Sequence, residues 1–92
     1  MKAGLLIRER HQLKDDAFVE LKVWQVPQTV RGSAHSYKYS LAYIVAGVCV
    51  VRYDNEAGKG DHRHVGEVEM PYRFSTVDRL LSDFWRDVDG WV

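Results

Sequence analysis

Tyr37-Lys38-Tyr39-Ser40-Leu41-Ala42-Tyr43-Ile44-Val45, then Ala46-Gly47, then Val48-Cys49-Val50-Val51-Arg52-Tyr53, is the stretch whose reading decides the fold. Both arms are rich in aromatic and branched residues, which suit a pleated, half-buried surface. Only two residues separate them, and Gly47 can take the positive φ that a two-residue turn needs. Ala46 is less suited to a primed turn, so the turn type stays open. The spacing predicts a β-hairpin over 37–53. Counting outward from the turn pairs Val45 with Val48, Tyr43 with Val50, Leu41 with Arg52 and Tyr39 with Asp54. That register places Tyr37, Tyr39, Tyr43, Arg52 and Asp54 on one face. Ala42, Ile44, Cys49 and Val51 share the other. A slip of one residue exchanges part of these lists.

Upstream, Leu5, Ile7 and Leu13 share a parity with Ala3, and Lys14-Asp15-Asp16 is a turn signal. Val19, Leu21 and Val23 then alternate with Phe18, Glu20, Lys22 and Trp24, which predicts a first hairpin over 3–26. Pro27 ends it, and Gln28 to Ser33 reads as a loop.

Downstream, residues 54–66 hold three glycines and few apolar residues, and read as a loop. A short strand is expected within 67–74, at an edge because of Pro71. The strongest helix is predicted over 76–89. Ser75-Thr76-Val77-Asp78 resembles a capping box, and Val77, Leu80, Leu81, Phe84, Trp85 and Val88 form one apolar stripe. The fold class that follows is α+β. Four to five antiparallel strands, built from two sequential hairpins, carry one C-terminal amphipathic helix on one face. The other face, with tyrosines and charges, is left for water, a ligand or a partner.

At 92 residues the chain reads as a single domain over 1–92, and 46% hydrophobic content is that of a globular protein. Thirteen basic and thirteen acidic residues balance, which argues against a generally basic nucleic-acid binder. The distribution is uneven: residues 1–53 carry +4 and residues 54–92 carry −4. Cys49 is the lone cysteine and is expected to pack as a small hydrophobe. There is no signal-peptide pattern and no apolar run approaching the roughly 20 residues of a membrane helix, so a cytoplasmic protein is expected.

The candidate chemistry gathers in Arg52-Tyr53-Asp54-Asn55-Glu56-Ala57-Gly58-Lys59-Gly60-Asp61-His62-Arg63-His64. Gly58-Lys59-Gly60 lets backbone N–H groups approach an anion, although it lacks the spacing of a Walker loop. Free imidazole titrates near about 6.5, so a pair can supply one base and one acid. Cleavage of RNA by its own 2′-hydroxyl needs that pair and a cation for the charged transition state. His62 and His64 are the acid/base candidates, and Lys59 the catalytic cation. Arg52, Arg63, Tyr37, Lys38, Tyr39, His35 and Asp54 are candidates for holding phosphate or substrate, the tyrosines by stacking on bases. An ordinary solvated loop and ordinary sheet packing explain the same residues without function. His-x-His could also ligate a metal with Asp61, Asp54 or His35, but Lys59 and Arg63 oppose a cation. No cofactor is expected.

The stretches Gly32-Ser33-Ala34-His35-Ser36-Tyr37-Lys38-Tyr39-Ser40-Leu41, Arg52 through His64, Pro71-Tyr72-Arg73-Phe74 and Leu81-Ser82-Asp83-Phe84 together resemble the TumE family. These are small bacterial and archaeal proteins named as toxins of type II toxin–antitoxin modules. The resemblance covers nearly the whole chain. It implies a cytosolic toxin partnered by an antitoxin, often of helix-turn-helix type, and it brings no catalytic residues with it. Three expectations follow: a toxin cleaving RNA without metal, a binding module acting by sequestration, or a metal-dependent hydrolase. RNA and the antitoxin are the expected partners, no membrane is involved, and the sequence leaves room for a homodimer.

Overall fold

The computed structural model describes residues 4–27, 33–56 and 58–91. Ala3 and most of the expected 28–33 loop lie outside them. Strands β1 (Gly4–Lys14), β2 (Ala17–Gln25), β3 (Tyr37–Val45), β4 (Val48–Glu56), β5 (Gly60–Val65) and β6 (Val68–Pro71) are followed by helix α1 (Val77–Gly90). All neighbours are antiparallel and the strands lie in sequence order, a simple meander. Among the described residues no helix is long and apolar enough to cross a membrane.

The α+β class holds, with six strands rather than four to five. The added strand is β5, inside the stretch expected to be a loop. Its low apolar content hid it. Hydrogen bonding needs no apolar side chain, and β5 has β4 on one side and β6 on the other. Its residues Asp61 and Arg63 face the helix side through polar contacts rather than apolar ones.

The second hairpin forms, but its register slips as soon as it leaves the turn. Val45 pairs with Val48 and Ile44 with Cys49, and then Tyr43 pairs with Val51. Val50 is the unpaired extra residue of a bulge. Beyond it Ala42 faces Arg52, Leu41 faces Tyr53 and Ser40 faces Asp54. The expected pairs Tyr43–Val50, Leu41–Arg52 and Tyr39–Asp54 are therefore wrong by one residue. In consequence Tyr39 and Tyr43 share a face with Val51 and Tyr53, whereas Arg52 and Asp54 lie on the opposite face.

Helix α1 covers the first of these faces. Ala17, Val19, Leu21, Val23, Tyr39, Leu41, Tyr43, Val51 and Tyr53 form the core with Leu80, Phe84 and Val88. Each large apolar side chain so buried contributes about 1.5–3 kcal/mol. The Thr76 hydroxyl caps the helix by accepting from the Arg79 backbone N–H at 3.1 Å. The Tyr72 hydroxyl donates to Asp83 (2.6 Å), so polar contacts also hold the helix to the sheet. Cys49, expected inside a packed strand, is exposed near the hairpin tip beside exposed Val48.

The turn type is settled by two positive φ values, 51° at Ala46 and 79° at Gly47. That is the primed geometry matching strand twist, and Ala46 adopts it at a steric cost. Replacing it with the residue best suited to that position, Ala46→Asn, is expected to stabilise the domain by about 0.5–1 kcal/mol. Thermal unfolding checks this. A melting temperature raised by a few degrees is expected, and a lowered one contradicts the assignment.

Candidate functional site

The sequence candidates divide between the two faces of the sheet. His62 and His64 project from β5 onto the face without the helix. There His62 lies opposite Asp54, and His64 lies between Arg52 and Glu69. Arg52, Asp54, Glu56, Lys59, His62, His64 and Glu69 line one concavity of about 120 Å³. The side chains of His62 and His64 are 22% and 28% exposed, so both can meet a solute.

Hydrogen-bond partners constrain the groups further. His62 Nδ1 lies 3.2 Å from the Gly60 carbonyl, to which it donates. Nδ1 therefore carries a proton, and whenever the ring is neutral its lone pair is on Nε2. Glu69 Oε1 lies 3.9 Å from His62 Nε2 and 3.8 Å from His64 Nε2, so one exposed carboxylate stands before both rings. Arg52 Nε is 3.4 Å from Asp54 Oδ2, yet it is buried without a hydrogen-bond partner among the described residues. Lys59 stands at the rim, 3.7 Å from Glu56. The Lys38 ammonium donates to the Asn55 carbonyl. Among the described residues no group of three or more His, Cys, Asp or Glu is arranged to hold a metal ion.

Arg63, Tyr39, Tyr37 and His35 lie on the helix side, away from this concavity. Arg63 grips Asp87 with two nitrogens, at 2.6 Å and 2.8 Å, and its guanidinium lies over the Tyr53 ring. The Tyr53 hydroxyl donates to the same carboxylate. Burial drives the Asp87 carboxyl up, but the hydrogen bonds from Arg63 and Tyr53 outweigh it and hold it below its ordinary value. Burial, reinforced by the Asp87 hydrogen bond, pushes the Tyr53 phenol well up, so it stays neutral.

His35 belongs to a second network. Its Nε2–H donates to Asp61 at 2.6 Å and its Nδ1 accepts from the Tyr37 backbone N–H at 3.1 Å. Both ring nitrogens are occupied, and the ring stacks on Phe74 at 3.9 Å. Asp61 also accepts from the hydroxyls of Ser33 and Tyr39. The buried Asn55 side chain completes the assembly by accepting from Tyr39 N–H (3.0 Å) and donating to the Tyr37 carbonyl (2.7 Å). These contacts tie residues 33–37 to β4 and β5. Burial and the Asp61 hydrogen bond hold the Tyr39 phenol neutral.

Sequence reasoning missed Glu69 and Asp87. Alternation of Glu69 with Met70 could have placed Glu69 on the histidine face once residues 67–74 were paired with 60–65. Asp87 carried no local signal, because its role exists only when helix and sheet meet.

A family model described as Toxin TumE matches residues 2–92. No curated protein and no solved structure matches the chain.

The Arg63–Asp87–Tyr53 cluster gives a pH-dependent expectation. Asp87→Asn should cost about 1.5–3 kcal/mol at neutral pH. A carboxyl lowered in the folded state contributes fully above its ordinary value of 3.8 and loses that contribution as pH falls through the folded-state value. Denaturant titrations of both proteins across acid pH check this. Their stability difference should stay constant down to about pH 4 and close below it. A difference that persists unchanged into strong acid contradicts the cluster.

Proposed function

The chain belongs to the TumE family of toxins, and on that premise we propose that it acts on RNA, by metal-independent acid/base cleavage at the open face of the sheet. The observation that carries this reading is the placement of His62 and His64 side by side, both half-buried, in one concavity with Arg52 and Lys59. Side chains two apart on a strand stand about 6.7 Å from each other, a spacing a phosphodiester can bridge. His62 Nε2 takes the proton of the 2′-hydroxyl. The 2′-oxygen forms its bond to phosphorus as the bond to the 5′-oxygen breaks. His64, protonated, gives its proton to that leaving oxygen. The products are a 2′,3′-cyclic phosphate and a 5′-hydroxyl end. Arg52 and Lys59 stabilise the charge gathering on the non-bridging oxygens.

Glu69 must yield its place before the rings to the incoming phosphate, and at 53% side-chain exposure it is free to swing outward. Arg63, tied to Asp87, has no part in this chemistry, and neither has His35, whose nitrogens are both engaged. A toxin family implies an antitoxin, and we propose a type II system in the cytoplasm, with a protein antitoxin that blocks this face.

Three carboxylates, Asp54, Glu56 and Glu69, line the same concavity and favour a second reading, binding without turnover. One experiment separates the two. Purified protein is incubated with RNA in excess chelator, and the new ends are identified. Cyclic phosphate ends are expected, with His62→Ala and His64→Ala each reducing the rate by about 10²–10⁴-fold while melting as the parent does. Unchanged cleavage in both variants, or binding with no product, overturns the catalytic reading.

A further inference from the structure

Two rows of side chains run straight across the open face, perpendicular to the strands. One runs Arg8, Lys22, Ser40, Asp54, His62. The neighbouring row runs Arg10, Glu20, Ala42, Arg52, His64. At one end stands the histidine concavity. At the other, Arg8, Arg10 and Lys22 border a second concavity of about 370 Å³, with Glu9 and Glu20. Among the described residues no ion pair engages Arg8, Arg10 or Lys22. Their charge is therefore not spent on a carboxylate of the fold.

On the central strand β3 the two rows carry only the small side chains of Ser40 and Ala42, and on β4 Asp54 and Arg52 stand between these and the imidazoles. Beside the first row Trp24 pairs with Lys38 on the same face and is half-exposed. Arg10 lies over the Phe18 ring at 4.0 Å. Four interstrand steps of about 4.8 Å make the distance from β1 to β5 about 19 Å. Several nucleotides of an extended single strand cover that span.

We infer that single-stranded RNA lies across the strands in this track, with Arg8, Arg10 and Lys22 as a remote phosphate-binding site and Trp24 as a stacking surface for an unpaired base. This deepens the proposed function and rests on it for the identity of the cleaved bond. At that end three cations, free of ion pairs among the described residues, stand against two acids, an excess of positive charge that favours an anionic strand. The aromatic face selects unpaired bases, since a duplex hides the π-faces of its bases. A single strand engaged at both ends is held in register over the imidazoles. A dinucleotide reaches only the β5 end.

The test separates the track from the chemistry by using a 2′-O-methyl oligoribonucleotide of roughly twelve residues, which has no 2′-hydroxyl to attack. Its Kd is measured against salt for the parent and for Arg8→Ala, Arg10→Ala and Lys22→Ala. Each substitution removes one phosphate contact, so the slope of log K against log salt should fall by about 0.7. Glu20→Gln removes an acid from the track and should tighten binding. In the parent reaction KM for a dinucleotide should be unchanged by all three basic substitutions, whereas KM for the long substrate rises. An unchanged salt slope in all three variants overturns the track. So does equal loss with dinucleotide and oligonucleotide, or tighter binding of duplex than of single strand. If the oligonucleotide binds with the expected slope but no RNA is cleaved, the track stands and the acid/base reading falls.

Discussion

A single unpaired residue, Val50, determines which side chains of this protein meet. Strand side chains alternate faces, so one extra residue moves everything beyond it to the opposite side. Without the bulge, Tyr43 would pair with Val50, and Arg52 and Asp54 would point into the core with the tyrosines. With it, Tyr53 and the buried Asn55 join Tyr39, Leu41 and Tyr43 beneath the helix. Arg52 and Asp54 emerge on the open face, opposite His64 and His62. The core and the candidate site are two sides of one register.

The helix side then absorbs polar groups that would otherwise look functional. Asp87 takes Arg63 and Tyr53, Asp83 takes Tyr72, and Asp61 takes His35, Tyr39 and Ser33. Each is a carboxylate fixed by partners from other elements, which is how a buried acid is tolerated. The result is a layer of polar bonds around the apolar core, with its members satisfied. On the other face, among the described residues, Arg52 Nε has no hydrogen-bond partner and two imidazoles stand before one exposed carboxylate.

Much of this was legible in the sequence. Alternation put Val19, Leu21 and Val23 on one face, which the structure buries as core, and the apolar stripe of the helix held Leu80, Phe84 and Val88. The conspicuous segment around His62 and His64 stood out in the sequence, but it was read as a loop where the structure has β5. Its polarity signals solvent when read alone, and only pairing with β4 and β6 turns it into a strand with two distinct faces. The bulge was not legible because Val48, Val50 and Val51 are chemically alike, so no residue type marks the one left out. Assignments made by sequence neighbourhood failed for the same reason. Arg63 lies between His62 and His64 in the chain and on the opposite side of the sheet in space. The charge imbalance between the two halves became meaningful only through the register, which sets Arg8, Arg10 and Lys22 in line with the imidazoles.

The proposed chemistry requires that His62 and His64 form the ligand-facing pair and that His35 does not. Histidine ring resonances followed by NMR during titration with a 2′-deoxy dinucleotide test it directly. The signals of His62 and His64 should move together and saturate at one concentration, while His35, held by Asp61 and the Tyr37 backbone, stays in place. Movement of His35 with His62 and His64 unchanged would contradict it.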